Sequence, residues 1–382
     1  MPGETLISSS NTVAVFTALM AVVAIGLAME RHAKLGQFGT MFVILFPALL
    51  TATSILPRSS PVYGFVNGQL VALSIPMLLF NADLRVIWKQ SGRVMIAFLL
   101  ATLATVIAGV CAAFLVDLGS EEPVWVGMMT AAFIGGAVNI AAVAGAFEMT
   151  GDPRIGLMFA SIYVVLIPYF LFLMYLPSLG PLWRLFSGRT QILPDGGQDA
   201  PAAVRAVSEA RALEPFGFAA MVALAGSCVL IGEGLAHVSG MPALKFLGLS
   251  LVAILIATLS PATVRRLRGH TETGHVLIYA FLAVMGSAID FSVVTAEGVP
   301  IIVFVTILLA LHLVLVSVFG RVLKLNGPEL LVAANSCILG PPTAAAMATA
   351  RGWPSLVTPG ILVGVFGWAI ASFIGVGLAM VL

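Results

Sequence analysis

Apolar residues along this chain do not alternate with polar ones. They run in long blocks, at 12–29, 38–56, 66–80, 93–116, 125–147, 155–176, 215–236, 243–259, 274–289, 299–319, 329–349 and 355–381. Blocks of this kind predict helices, because a β-barrel strand shows a period of two and none of these does. Most approach the roughly 20 apolar residues that a membrane-crossing helix needs. The series is interrupted once, at 184–214, "RLFSGRTQILPDGGQDAPAAVRAVSEARALE", which reads as a soluble linker between two sets of six blocks. The chain therefore divides into a first membrane half at 1–183, the linker at 184–214 and a second membrane half at 215–382.

Composition identifies the solvent. Of 382 residues, 60% are hydrophobic and 9% are charged, with a mean hydropathy of +1.09. A water-soluble domain carries about 25% charged residues, so the surroundings of this chain are lipid. A net charge of +1 argues against a nucleic-acid partner. Cys111, Cys228 and Cys337 fall inside apolar blocks with no ligand spacing, and read as small core residues. The start, "MPGETLISSS", lacks the basic stretch of a signal peptide, so the first block is expected to remain as a span.

Two of the blocks carry helix breakers at their centres. "TAAFIGGAVNIAAVAGAFE" at 130–148 has Gly135 and Gly136 followed by Asn139. "ANSCILGPPTAAAMATARGW" at 334–353 has Gly340, Pro341 and Pro342. Irregular backbone at membrane depth is tolerated only where protein or a water-filled cavity surrounds it.

Charge distribution bears on how these two blocks run. If all twelve blocks cross the membrane, the 18 Lys and Arg divide almost evenly between the faces. If the two broken blocks turn back, fifteen of the eighteen lie on one face and only Arg58, Arg154 and Lys245 on the other. Lys and Arg favour cytoplasmic loops, so the second arrangement is expected, with the linker inside. It makes the fold all-α and polytopic: two inverted repeats, each of five spans plus one re-entrant hairpin. Inverted repeats with interrupted helices at matching positions point to a transporter binding site.

At these residues the chain also resembles a known family. "FIGGAVNIAAVAGAFE" is similar to the GGS-x-N motif of the bacterial integral-membrane family called domain of unknown function 819. "AANSCILGPPTAAAMATARGWPSLVTPGILVGVFGWAIAS" and "PVYGFVNGQLVALSIPMLLFNADLRVI" fit the same family. The resemblance covers nearly the whole chain. It implies architecture more than chemistry, since by name the family has no assigned substrate. The layout also resembles, in architecture, the sodium-coupled glutamate and citrate carriers. Those place Gly-rich re-entrant loops at the substrate site.

Candidate residues follow from the two breaks. Gly135, Gly136, Asn139, Gly340, Pro341, Pro342 and Thr343 are expected at a solute site. Asn335, Ser336, Asp290 and Glu148 are candidates for an ion site. Each has a plainer alternative. Asn139 can simply bond a nearby carbonyl, and Asp290 and Glu148 can sit at an interface. Asp83 reads as a helix cap, and His312 as a bonded packing histidine in preference to a proton site. No H-E-x-x-H, G-x-S-x-G or Walker sequence occurs, so the chain is not expected to be an enzyme and any transport is secondary.

The expected function is secondary active transport of a small polar solute, with an anionic carboxylate as the candidate, coupled to Na⁺ or H⁺, in a bacterial inner membrane. No cofactor is expected beyond Na⁺ as a candidate coupling ion. The expected partners are a small solute, the bilayer and, as an open alternative, a second copy of the chain in a homodimer. The competing reading is a channel or export protein linked to cell-wall turnover.

Overall fold

The computed structural model describes residues 5–30, 39–119, 121–187, 214–241, 243–267, 269–289 and 291–382. All regular structure among them is helical. The first half contains α1 (Thr12–Glu30), α2 (Gly39–Ala52), α3 (Pro61–Leu79), α4 (Leu84–Ala113), α5 (Glu122–Gly135), α6 (Ala137–Ala146), α7 (Arg154–Tyr175) and α8 (Gly180–Ser187). The second contains α9 (Pro215–Ser239), α10 (Ala243–Leu259), α11 (Pro261–Arg266), α12 (His270–Ser287), α13 (Phe291–Val322), α14 (Gly327–Leu339), α15 (Pro341–Ala350) and α16 (Val357–Val381).

Seven of these helices are long and apolar enough to cross a bilayer: α1, α3, α4, α7, α9, α13 and α16. The blocks at 38–56 and 243–259 do form helices, but of 14 and 17 residues. That is short of the roughly 20 residues that span the hydrocarbon. α12 has 18 residues, and its first turns carry Thr271, Glu272 and His275. The blocks at 125–147 and 329–349 are each broken into two short helices.

Helix ends follow local chemistry. Asp83 caps α4, its Oδ1 accepting from the backbone N–H of Arg85 at 3.1 Å and of Val86 at 3.4 Å. Asn326 and Glu329 form a reciprocal capping box at the start of α14. Within α3 the residues Val66–Leu70 widen into a π-helical turn.

Small residues decide where the helices meet most closely. On α5 they fall at Gly127, Ala131 and Gly135. On α16 they fall at Gly367, Ala371 and Gly375, at the same four-residue spacing. A Cβ on Gly135 would lie 2.6 Å from the Gly367 carbonyl oxygen, and one on Gly127 would lie 2.5 Å from that of Gly375. The two backbones therefore touch, as small-xxx-small helices do in lipid. One turn from Gly367, Gly364 meets the other broken block: a Cβ there would be 2.6 Å from Ser336 Oγ and 2.7 Å from Pro341 Cγ. A single helix, α16, holds both broken segments.

Two expectations need correction. Cys111 is exposed on α4, whereas Cys228 and Cys337 are buried as expected. The soluble linker does not begin at 184. Residues 184–187 complete the amphipathic α8, whose Phe186 and Ser187 are buried, and residues 188–213 lie outside the described residues.

A cavity between two helical hairpins

The two breaks have the same geometry. Gly136 separates α5 from α6 with φ 75° and ψ −174°, and Gly340 separates α14 from α15 with φ 91° and ψ 178°. This positive-φ region is open to glycine and closed to nearly every other residue. In each case the glycine N–H still completes the preceding helix, donating to Ala132 O at 2.7 Å and to Ser336 O at 3.1 Å.

Both broken segments fold back. Arg154, at the start of α7, reaches Glu121, at the start of α5, in a 2.8 Å ion pair. Helices of 14 and 10 residues laid end to end would carry the chain about 36 Å away at 1.5 Å per residue. The linking residues 147–153 are folded into turns, with Met149 N–H on Ala144 O at 2.7 Å and Asp152 N–H on Met149 O at 2.9 Å, so they are too compact to return that distance. The ends of the second segment meet on one indole. Trp183 of α8 stacks on Trp353, ring centroids 6.5 Å apart, and packs on Gly327, where a Cβ would lie 2.8 Å from the ring.

The mouth of the first hairpin is thus closed by charge. Arg154 also pairs with Asp152 at 2.6 Å and sits over the Trp125 ring at 5.0 Å. The mouth of the second is closed by aromatic stacking. Around it, Ser317 Oγ donates to the Leu185 carbonyl at 3.1 Å and Arg351 Nη1 to Ser178 Oγ at 2.9 Å.

The tips of the hairpins line one cavity of about 200 Å³. Gly135, Gly136, Ala137 and Val138 form one side, and Leu339, Gly340, Pro341 and Pro342 another. The remaining wall carries Thr40, Tyr163, His275, Tyr279 and Trp368. Five residues expected at a solute site, Gly135, Gly136, Gly340, Pro341 and Pro342, are therefore brought together.

The other expected residues stand elsewhere. Asn139 is buried behind its tip, its Nδ2 donating to Gly135 O at 2.6 Å. Thr343 Oγ1 donates to Asn335 Oδ1 at 2.8 Å, with Gly340 O a second acceptor at 2.9 Å. Ser336 Oγ donates to Gly360 O at 2.7 Å. The Asn335 amide nitrogen is buried with no partner among the described residues. Glu148 lines a different cavity, of about 580 Å³, with Asn67, His237 and the Lys245–Glu233 ion pair. Asp290 lies outside the described residues.

A second polar cluster joins the hairpins from behind. Cys337 Sγ on α14 donates to the Phe133 carbonyl on α5 at 3.3 Å. Thr105 lies 3.6 Å from that sulfur and 3.0 Å from His312 Nδ1. His312 is fully buried and bonded through Nδ1 alone; its Nε2 is buried with no partner among the described residues.

Sequence reasoning missed the polar wall formed by Thr40, Tyr163, His275 and Tyr279. The available signal was a tyrosine in the middle of each of two apolar blocks, at 163 and 279, where a hydroxyl needs a partner.

The family described as a protein of unknown function, DUF819, matches residues 17–382. An uncharacterized membrane protein, YjcL, of Bacillus subtilis (strain 168) is 30% identical over 371 residues, covering 94% of this chain and 93% of the relative. This chain is a membrane protein with several transmembrane helices, and it belongs to the DUF819 family.

Proposed function

We propose that this protein is a secondary transporter of a small polar solute, carried through the cavity between the two hairpin tips and coupled to Na⁺ or H⁺ across a bacterial inner membrane. The observation that carries this reading is the pair of glycine breaks of equal geometry facing each other across one cavity. Interrupted helices expose backbone groups that regular spans keep paired, and transporters use them to replace water around a solute.

An inverted repeat is supported by the order and length of the elements. α4 and α13 have 30 and 32 residues, α5 and α14 have 14 and 13, and α6 and α15 both have 10. α7 and α16, which follow, have 22 and 25. The first hairpin's mouth then faces outward with Arg154, and the second's inward among Arg93, Arg321 and Arg351.

Preference for an anionic solute rests on the first tip. No side chain caps the N-terminus of α6, so its first N–H groups and its dipole face the cavity side. α15 offers less, because Pro341 and Pro342 have no N–H.

The test is thermal unfolding of the purified chain across small carboxylates and neutral metabolites, with and without Na⁺. A solute that binds only the folded state raises its apparent stability. The reading predicts that such a solute accumulates in proteoliposomes only under an ion gradient. Accumulation-free, gradient-independent flux would instead identify a channel.

A further inference from the structure

Glu30 is the last residue of α1, and its carboxylate accepts hydrogen bonds from two hydroxyls on other helices. One is the Tyr279 phenol of α12; the other is Thr40 Oγ1 of α2, at 3.2 Å. These two hydroxyls are themselves 2.7 Å apart, and the Tyr163 phenol of α7 lies beside Thr40. Thr40, Tyr163 and Tyr279 all line the cavity between the hairpin tips. Glu30 stands behind them and is exposed on its other side. An exposed carboxylate at the end of α1 is thus wired by hydroxyls to the wall of the cavity.

Each hydroxyl has one hydrogen, so the state of Glu30 decides where the hydrogens point. With Glu30 ionised, Tyr279 and Thr40 direct their hydrogens at the carboxylate, and their lone pairs face the cavity. With Glu30 protonated, its O–H donates to Tyr279 Oη. Tyr279 then donates to Thr40, and the Thr40 hydrogen is released toward the cavity or Tyr163. The proton comes from water on the exposed side, and apart from that O–H bond only hydrogen directions change.

We propose that Glu30 is a proton-binding site whose protonation turns the hydroxyl wall of the cavity from acceptor to donor, so that a proton and a carboxylate solute bind together. The proposal rests on the transport reading and names its coupling ion and solute class. The groups facing Glu30 are Thr40 from α2, Tyr279 from α12 and Tyr163 from α7; His275 and Glu272 lie earlier on α12. Arg31, His32 and Lys34 follow it in sequence, outside the described residues. The His275 ring lies 6.5 Å from that of Tyr279.

The experiment uses dicyclohexylcarbodiimide, which modifies protonated carboxyls, on the purified full chain, with sites identified by peptide mass spectrometry. Glu30 should be modified at mildly acidic pH and progressively less as pH rises. In Tyr279→Phe, where the carboxylate loses a donor, modification should persist to higher pH. No modification of Glu30, modification independent of pH, or suppression by Na⁺ at constant pH overturns the proposal.

Uptake of radiolabelled malate and citrate into proteoliposomes separates it from the transport reading. Glu30→Gln should lose accumulation driven by a proton gradient and keep solute exchange. If wild type accumulates either solute and Glu30→Gln still does so on a proton gradient, the proposal fails and the transport reading stands. If Glu30 titrates as expected and wild type moves neither solute, the proton site stands and malate–citrate transport fails.

Discussion

Asn139 and Thr343 occupy equivalent places in the two hairpins, each three residues beyond its positive-φ glycine, and each side chain reaches a carbonyl at the break. Asn139 bonds Gly135 O, and Thr343 reaches Gly340 O. An interrupted helix leaves carbonyls without their usual partners. At the first break the Asn139 N–H goes to Gly136 O, and the Asn139 side chain supplies Gly135 O instead. At the second, Gly340 O already accepts from the Ala344 N–H at 3.3 Å, and Thr343 adds to that bond. Only Thr343 is also tied to a second side chain, Asn335.

Asn139→Ala is therefore expected to destabilise the first hairpin directly. It removes the donor from a buried carbonyl, at a cost of about 1–3 kcal/mol. Thermal unfolding of the purified variant should show the loss without any solute present. Unchanged stability combined with weakened solute binding would instead assign Asn139 to the solute.

Gly135→Ala should be more damaging than its chemistry implies. The added methyl would press on the Gly367 carbonyl and on Ala371, at 2.6 and 2.7 Å. Overpacking of this kind costs about 1–3 kcal/mol. Gly226→Ala on α9, where a Cβ meets nothing within 4 Å, serves as the matched control and should be neutral or slightly stabilising. Equal behaviour of the two in an unfolding series would contradict the backbone contact between α5 and α16.

Cysteines at positions 121 and 154 should be joined by a short bis-maleimide in a background with Cys111, Cys228 and Cys337 replaced. The native pair is in contact at 2.8 Å, whereas a straight run of α5 and α6 would carry residue 146 about 36 Å from residue 121. Mobility of the cross-linked chain after cleavage at an introduced protease site within 147–153 reports the outcome.

Sidedness gives a further test. A membrane-impermeant maleimide added outside intact cells should label Arg154→Cys and Lys245→Cys and leave Arg351→Cys unlabelled. Labelling of Arg351→Cys from outside would place both hairpin mouths on one face and remove the inverted repeat.

How far the sequence reads ahead of the structure depends on where the information sits. The helices were legible because each apolar block is continuous. α7, for example, runs from 154 to 175, against a block at 155–176. The hairpin tips were legible because Gly136, Gly340 and the two prolines break a helix by their own covalent geometry. The rest of the cavity was not legible. Thr40, Tyr163 and Tyr279 come from three helices far apart in sequence, and only tertiary packing joins them to Glu30. α8 was hidden because its amphipathic pattern lasts only eight residues beside a polar stretch, and Trp183 is packed by its contact with Trp353 and Gly327. Glu148 looked like a neighbour of the first tip in sequence, but α6 carries it the length of a half-helix away, to the other cavity.

The unlike closures of the two hairpins make them answer to different surroundings. Attraction between exposed ions such as Arg154 and Glu121 fades as the Debye length shrinks, to about 3 Å at 1 M salt. Stacked indoles such as Trp183 and Trp353 lose nothing by that change. Concentrated salt at the Arg154–Glu121 end therefore loosens one hairpin and leaves the other shut, while detachment of α8 does the reverse. Two breaks of like geometry are given separate handles, one turned by electrolyte and the other by the seating of α8.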